Sequence, residues 1–176
     1  MKGQVKKNKK SIIKEWTINI SVVATIAFLV WHFVGYSAWI TSKSMMPTLE
    51  VKDRLLVARV HNFENLREGD IVLFKNDEFP DEILIKRLIG LPGDKIEIKH
   101  GVVFRNGEEI KENYVKNNIE YNRTFNVPEN KFFFLGDNRA HSYDSRCWHY
   151  PFVDKSYIQG KAVLKYYPIT NFEMFK

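Results

Sequence analysis

A serine and a lysine are the two residues of this 176-residue chain whose settings could do chemistry together. Ser44 opens Ser44-Met45-Met46-Pro47-Thr48-Leu49, where Pro47 lacks a backbone donor and keeps the serine out of a regular strand or helix interior, leaving its hydroxyl at a defined bend. Lys86 lies in the aliphatic run Leu84-Ile85-Lys86-Arg87-Leu88-Ile89-Gly90-Leu91-Pro92-Gly93-Asp94. In a strand, Leu84, Lys86 and Leu88 share one face and Ile85, Arg87 and Ile89 the other, so the amine points where leucines point. Apolar neighbours disfavour an ammonium and lower its pKa from ~10.4, as an amine requires if it is to accept a proton near neutrality. Arg87 could not take that part, because a guanidinium does not deprotonate in proteins. A hydroxyl beside a neutral amine is a nucleophile and base pair of the hydrolytic kind. Each half has a plain alternative: Ser-x-x-Pro also marks ordinary turns, and a lysine on an edge strand is often solvated.

A third constellation, Gly136-Asp137-Asn138-Arg139 followed by Ser142-Tyr143-Asp144-Ser145-Arg146, reads by itself as a loop held by an ion pair. His141 beside it raises a Ser/His/Asp triad as an alternative. His141, Cys147 and His149 raise a metal site, but their spacing fits no familiar zinc pattern, and neither metal nor cofactor is expected. One cysteine, Cys147, excludes an intramolecular disulfide, so stability must come from a packed core.

The formal charge of +6 is concentrated at one end. Lys2, Lys6, Lys7, Lys9, Lys10 and Lys14 lie within residues 1–14, which hold no acid, leaving 21 basic residues against 21 acidic ones in the rest. A nucleic-acid binder needs its excess on a folded face, so this charge argues for a topology signal and against nucleic acid. Residues 16–36 carry no charge and would form ~31 Å of helix at ~1.5 Å per residue, matching a hydrocarbon core of ~30 Å. Trp16, Trp31, Tyr36 and Trp39 sit near the ends as interfacial aromatics would. The expected organisation is a basic cytoplasmic tail at 1–15, a transmembrane signal-anchor helix at 16–36 and an extracytoplasmic domain at 37–176. A cleaved signal peptide, or a buried core helix diluted by Asn19, Ser21, Thr25 and His32, are the alternatives.

Beyond the apolar stretch the period shortens to two, predicting strands at 55–60, 71–74, 83–91, 95–99, 102–104, 131–135 and 161–167. His100-Gly101 and Asn106-Gly107 are hairpin turns that make 95–110 a meander. The polar stretch 111–130 is expected to be a loop or small insertion. The fold class is therefore mainly β, built from antiparallel sheets.

The three constellations together resemble the bacterial type I signal peptidase (leader peptidase) family, from the apolar stretch almost to the C-terminus. The resemblance implies a membrane-anchored Ser/Lys dyad serine endopeptidase of the bacterial cytoplasmic membrane, which removes N-terminal signal peptides from exported preproteins after small residues. It implies Ser44 as nucleophile and Lys86 as base, with the Ser44 backbone N–H and the Ser42 hydroxyl as oxyanion donors. It also implies that Ser142 orients the amine and that Asp144, Arg146, Asp137 and Asn138 support the site. Those roles suit the residue types, since a carboxylate touching Lys86 would raise its pKa; Asp144 is expected to pair with Arg146 and stay clear of the amine. At Lys43 the chain departs from the family, where many members have glycine, and a positive φ there would cost ~1 kcal/mol or more.

Signal peptides end in small residues at the first and third positions before the cut. The resemblance places Ile40, Met45, Leu49, Leu73, Leu84 and Ile85 around shallow apolar pockets for them. The eight residues from Tyr36 to Ser44 reach at most ~28 Å at ~3.5 Å each, which keeps the serine near the lipid bilayer; proximity to the secretion translocon is what the resemblance implies. An organelle inner-membrane processing peptidase of the same family, a non-catalytic relative assisting surface-protein assembly and a membrane-tethered basic adaptor are the competing readings. A soluble self-cleaving repressor would lack the anchor.

Overall fold

The computed structural model describes residues 9–33 and 35–175, with side chains from 13–28 and from 35–175. The chain divides at Gly35 and Tyr36 into two compact units.

In the first unit, α1 (Lys9–Phe33) runs for 25 residues. Its hydroxyl side chains are turned back onto the helix, Thr17 Oγ1 donating to Lys14 O and Thr25 Oγ1 to Ser21 O, each at 2.8 Å. The helix covers 16–33 of the expected span at 16–36, starting inside the lysine tail and ending at Phe33. Among the described residues no helix is long and apolar enough to cross a membrane. Most of the expected tail, residues 1–8, and Val34 of the expected span lie outside the described residues.

In the second unit, apolar residues alternating along short strands sort themselves onto two faces. The strands are β1 (Tyr36–Trp39), β2 (Arg54–Ala58), β3 (Ile71–Phe74), β4 (Leu84–Gly90), β5 (Lys95–Lys99), β6 (Val102–Arg105), β7 (Glu108–Glu109), β8 (Arg123–Asn126), β9 (Lys131–Leu135), β10 (Val153–Asp154), β11 (Ile158–Tyr167) and β12 (Glu173–Met174). Among the described residues the larger sheet is ordered β1-β2-β11-β3-β4-β9-β10, with β12 on β11, and the smaller β7-β6-β5-β8. Every pairing between these strands is antiparallel.

The alternation divides the core. In β3, Val72 and Phe74 join a cluster with Leu88, Phe132, Phe134 and Trp148, whereas Ile71 and Leu73 join Ile40, Met45, Leu49, Leu55 and Val57. Ile89, Phe133 and Leu135 turn to a third cluster with Ile96, Ile98, Val103 and Phe125 of the smaller sheet. β4 and β9 are therefore buried on both faces and serve as the shared wall of the unit. The turns at 100–101 and 106–107 have positive φ at both central residues, 52° and 78°, then 53° and 88°, as tight hairpins require. The stretch 111–130 is not loop throughout, since β8 pairs with β5 around the buried Phe125.

Candidate active site

Lys86 lies in the middle of β4, opposite Val72 in the register with β3, on the face that carries Leu84 and Leu88. It is 5% exposed. Desolvation pulls its pKa down from 10.5 to about 8, while the charges of Asp144 and Asp137 oppose the shift. The ammonium donates to Ser44 Oγ at 2.6 Å, and the serine is also 5% exposed. A dry serine–lysine pair of this kind can exchange one proton between oxygen and nitrogen. Ser42 Oγ stands 3.3 Å from Ser44 Oγ.

The bend that presents Ser44 is fixed from below. Met45 and Leu49 are fully buried, and Leu49 N donates to Met45 O at 2.9 Å to close one turn of chain between them. Lys43 is not among the residues with positive φ, so the lysine expected to strain the loop meets ordinary backbone. Asn138 holds the bend from the side, its N–H donating to Ser44 O at 3.0 Å and its Nδ2 to Lys43 O at 3.1 Å. Among the described residues the Ser44 N–H has no acceptor, which leaves it available as a donor.

Two aspartates flank the pair, and each has an arginine of its own. Asp144 receives Arg146 Nε at 2.8 Å and Nη2 at 2.9 Å, together with Gly136 N at 3.0 Å, and makes no hydrogen bond to Lys86. Asp137 receives Arg87 Nε at 2.8 Å and Nη2 at 2.6 Å. Thr48 donates its hydroxyl to the same carboxylate. Because Arg87 is the strand neighbour of Lys86 and Thr48 follows Ser44 by four residues, Asp137 ties the segment of the serine to the strand of the lysine. The guanidinium of Arg87 is covered by the ring of Tyr114 at 3.8 Å, and Tyr114 in turn donates to Glu112, which pairs with the buried Arg139.

Ser142 departs from expectation. Its hydroxyl is buried with no hydrogen-bond partner among the described residues, so the expected bond to Lys86 is not formed; the amine donates to Ser44. It packs on Gly136, where a Cβ would come within 2.2 Å of Ser142 Oγ and 2.6 Å of Ser44 O, so only glycine fits.

A cleft of about 380 Å³ opens beside the pair, lined by Ile40, Leu73, Leu84 and Ile85 together with Ser42 and Lys86. Met45 and Leu49, expected in its wall, lie beneath it in the core. His141, Cys147 and His149 are all exposed; His141 Nδ1 lies 3.1 Å from Asn138 Oδ1, and the described residues hold no cluster fit for a metal ion. Sequence reasoning missed Thr48, Arg87, Tyr114, Glu112 and Arg139 as parts of the frame. The adjacency of Arg87 to Lys86 and the places of Thr48 and Arg139 inside the motifs were the available hints.

An antiparallel β unit that buries a serine hydroxyl against a lysine amine, at the end of an apolar cleft, has the equipment of a serine hydrolase. Residues 13–167 match the family described as signal peptidase, peptidase S26. The signal peptidase I of Leptolyngbya laminosa is 40% identical over 164 residues, covering 88% of this chain and 79% of that protein. Signal peptidase I P of Bacillus subtilis subsp. natto is 37% identical over 180 residues, covering 96% of each. A crystal structure of a signal peptidase I from Enterococcus faecalis V583 aligns at 30% identity with a TM-score of 0.48, covering 57% of this chain and 98% of that one. The chain belongs to the signal peptidase family, peptidase S26. Its reaction is peptide-bond hydrolysis by a serine peptidase, which removes signal peptides.

Proposed function

We propose that Ser44 and Lys86 carry out this hydrolysis as nucleophile and general base. The observation that supports the assignment is the 2.6 Å approach of two buried groups, Lys86 Nζ and Ser44 Oγ. The neutral amine takes the serine proton as Oγ bonds to the scissile carbonyl carbon, and the oxyanion that forms is met by the free Ser44 N–H and the Ser42 hydroxyl. Collapse breaks the C–N bond, with the lysine proton passing to the leaving amine. Water then attacks the acyl ester, gives a proton to Lys86, and the serine regains its hydrogen as the ester bond breaks. While Oγ is acylated, the unpartnered Ser142 hydroxyl is the acceptor that orients Lys86.

The substrates are preproteins that carry N-terminal signal peptides. Small residues at the first and third positions before the cut enter the cleft formed by Ile40, Leu73, Leu84 and Ile85, whose depth Met45 and Leu49 limit from below. The uncharged stretch and the lysine tail support a membrane anchor at 16–36 with residues 1–15 in the cytoplasm and 37–176 outside the bacterial cytoplasmic membrane, 111–130 being a small insertion. That arrangement brings the cleft near lipid and the secretion translocon. Protease added to intact spheroplasts should then digest the domain and spare the tail, and the opposite pattern would overturn this topology.

A peptide with alanine at the first and third positions before the cut should be cleaved by the parent protein. Folded Ser44→Ala should leave it whole, and Ser142→Ala should slow its cleavage without abolishing it. Turnover retained by folded Ser44→Ala would overturn the assignment.

A further inference from the structure

Four antiparallel steps separate β1 from β4 in the larger sheet, so the two strands run the same way. Both lead toward the serine–lysine pair, β1 through Ile40 to Ser44 and β4 through Ile85 to Lys86. The cleft between them is lined mainly by apolar side chains, and its lining includes two charged residues, Lys86 at the catalytic end and Glu82 four residues upstream. Glu82 is exposed, and its carboxylate has no hydrogen-bond or ion-pair partner among the described residues. Its neighbours in the loop before β4 are engaged elsewhere: Asp77 accepts from Tyr157 Oη at 2.6 Å, and Glu78 accepts from Tyr143 Oη at 3.0 Å and from His149 N. The one acidic group that faces the cleft is therefore free to meet a substrate.

Extended chain rises ~3.3 Å per residue, so Glu82, two residues before the start of β4, stands at most about 13 Å along the chain from Lys86. A peptide lying extended in the cleft advances by the same step, which brings the fourth residue before its scissile bond alongside Glu82. A lysine or arginine there could lay its aliphatic stem over the exposed Ile83 and Trp39 at the rim and its charge against the carboxylate. We propose that Glu82 is a specificity-determining residue that favours a basic side chain at the fourth position before the cut. The inference rests on the reading of Ser44 and Lys86 as the cleaving pair and of the cleft as the seat of residues before the cut.

The test uses the full chain and three peptides with alanine at the first and third positions before the cut and lysine, glutamine or glutamate at the fourth. The parent should cut the lysine peptide with a kcat/KM about threefold to fivefold above the glutamate peptide at low salt, the range of an exposed ion pair. The ratio should approach one at 1 M salt, where the Debye length is ~3 Å. Glu82→Lys should reverse the order. Asp81→Lys changes the net charge equally from a position outside the cleft lining and should keep the parental order. Equal cleavage of all three peptides by the parent, or reversal by Asp81→Lys as complete as by Glu82→Lys, overturns the inference. Failure of the parent to cut any of the three, or equal cutting by Ser44→Ala, overturns instead the reading on which it rests.

Discussion

Lys86 carries a cost that its role explains. Its pKa lies near 8 in the folded chain and at 10.5 when solvated, so below pH 8 the fold holds a dry ammonium that the unfolded chain would hydrate. The penalty is complete below the folded value and disappears as pH rises past the solvated one. Lys86→Met should therefore be more stable than the parent at pH 7, by at most about 3 kcal/mol from the size of the shift, and should lose that advantage by pH 11. Denaturant melts of both proteins at the two pH values check this; an equal gain at both would mean that the lysine is not buried as a charge. Turnover should follow the opposite form of the group, rising with pH through about 8, and Lys86→Arg should be inactive throughout. The types and setting of Ser44 and Lys86 were legible because a proline and a run of aliphatics act locally. The Ser142 hydroxyl was not, since its neighbours are set by packing against Gly136.

Between elements, Asp137 is the joint. It faces Arg87 of β4 and Thr48 of the serine bend while its neighbour Asn138 holds Ser44 and Lys43. Asp137→Asn leaves the guanidinium of Arg87 buried without its counter-charge, which should cost about 3–5 kcal/mol of stability by denaturant melt. Adding Arg87→Met should restore much of that stability without restoring activity, since the tie between bend and strand stays cut. Gly136→Ala should lower peptide cleavage more than it lowers stability, about 1–3 kcal/mol, because the added methyl strikes the carbonyl of Ser44 itself. Kinetics and melts on the same preparation separate the two effects. The strands at 71–74 and 95–99 were legible from alternation bounded by turn residues, and Asp144 with Arg146 from spacing alone. β8 was hidden because Phe125 is its only buried side chain, and β1 because its aromatics continue the apolar stretch before it. The bond of Arg87 to Asp137 spans 50 residues, a distance that local pattern does not reach.

Across the whole β unit, two core clusters share β4 and β9, and β3 joins the third to them. Phe133, fully buried, turns toward the smaller sheet from a strand of the larger one. Phe133→Ala should destabilise by about 3–5 kcal/mol. Both sheets should still melt together, so two separate calorimetric transitions in the variant would show that they fold independently. Antiparallel sheets were readable beforehand, whereas the order of strands within them was not, because it is decided by contacts between distant segments. The separation of 42 residues between Ser44 and Lys86 has a consequence for the life of the chain before it folds. In a nascent or threading polypeptide the serine is an ordinary alcohol, and the lysine an ordinary ammonium with its proton firmly held near the solvated value of 10.5. On the roles proposed for Ser44 and Lys86, the protein is its own latent precursor: folding performs the activation that a removable pro-segment performs elsewhere, and no peptide can be cut until the sheet that encloses the amine has closed.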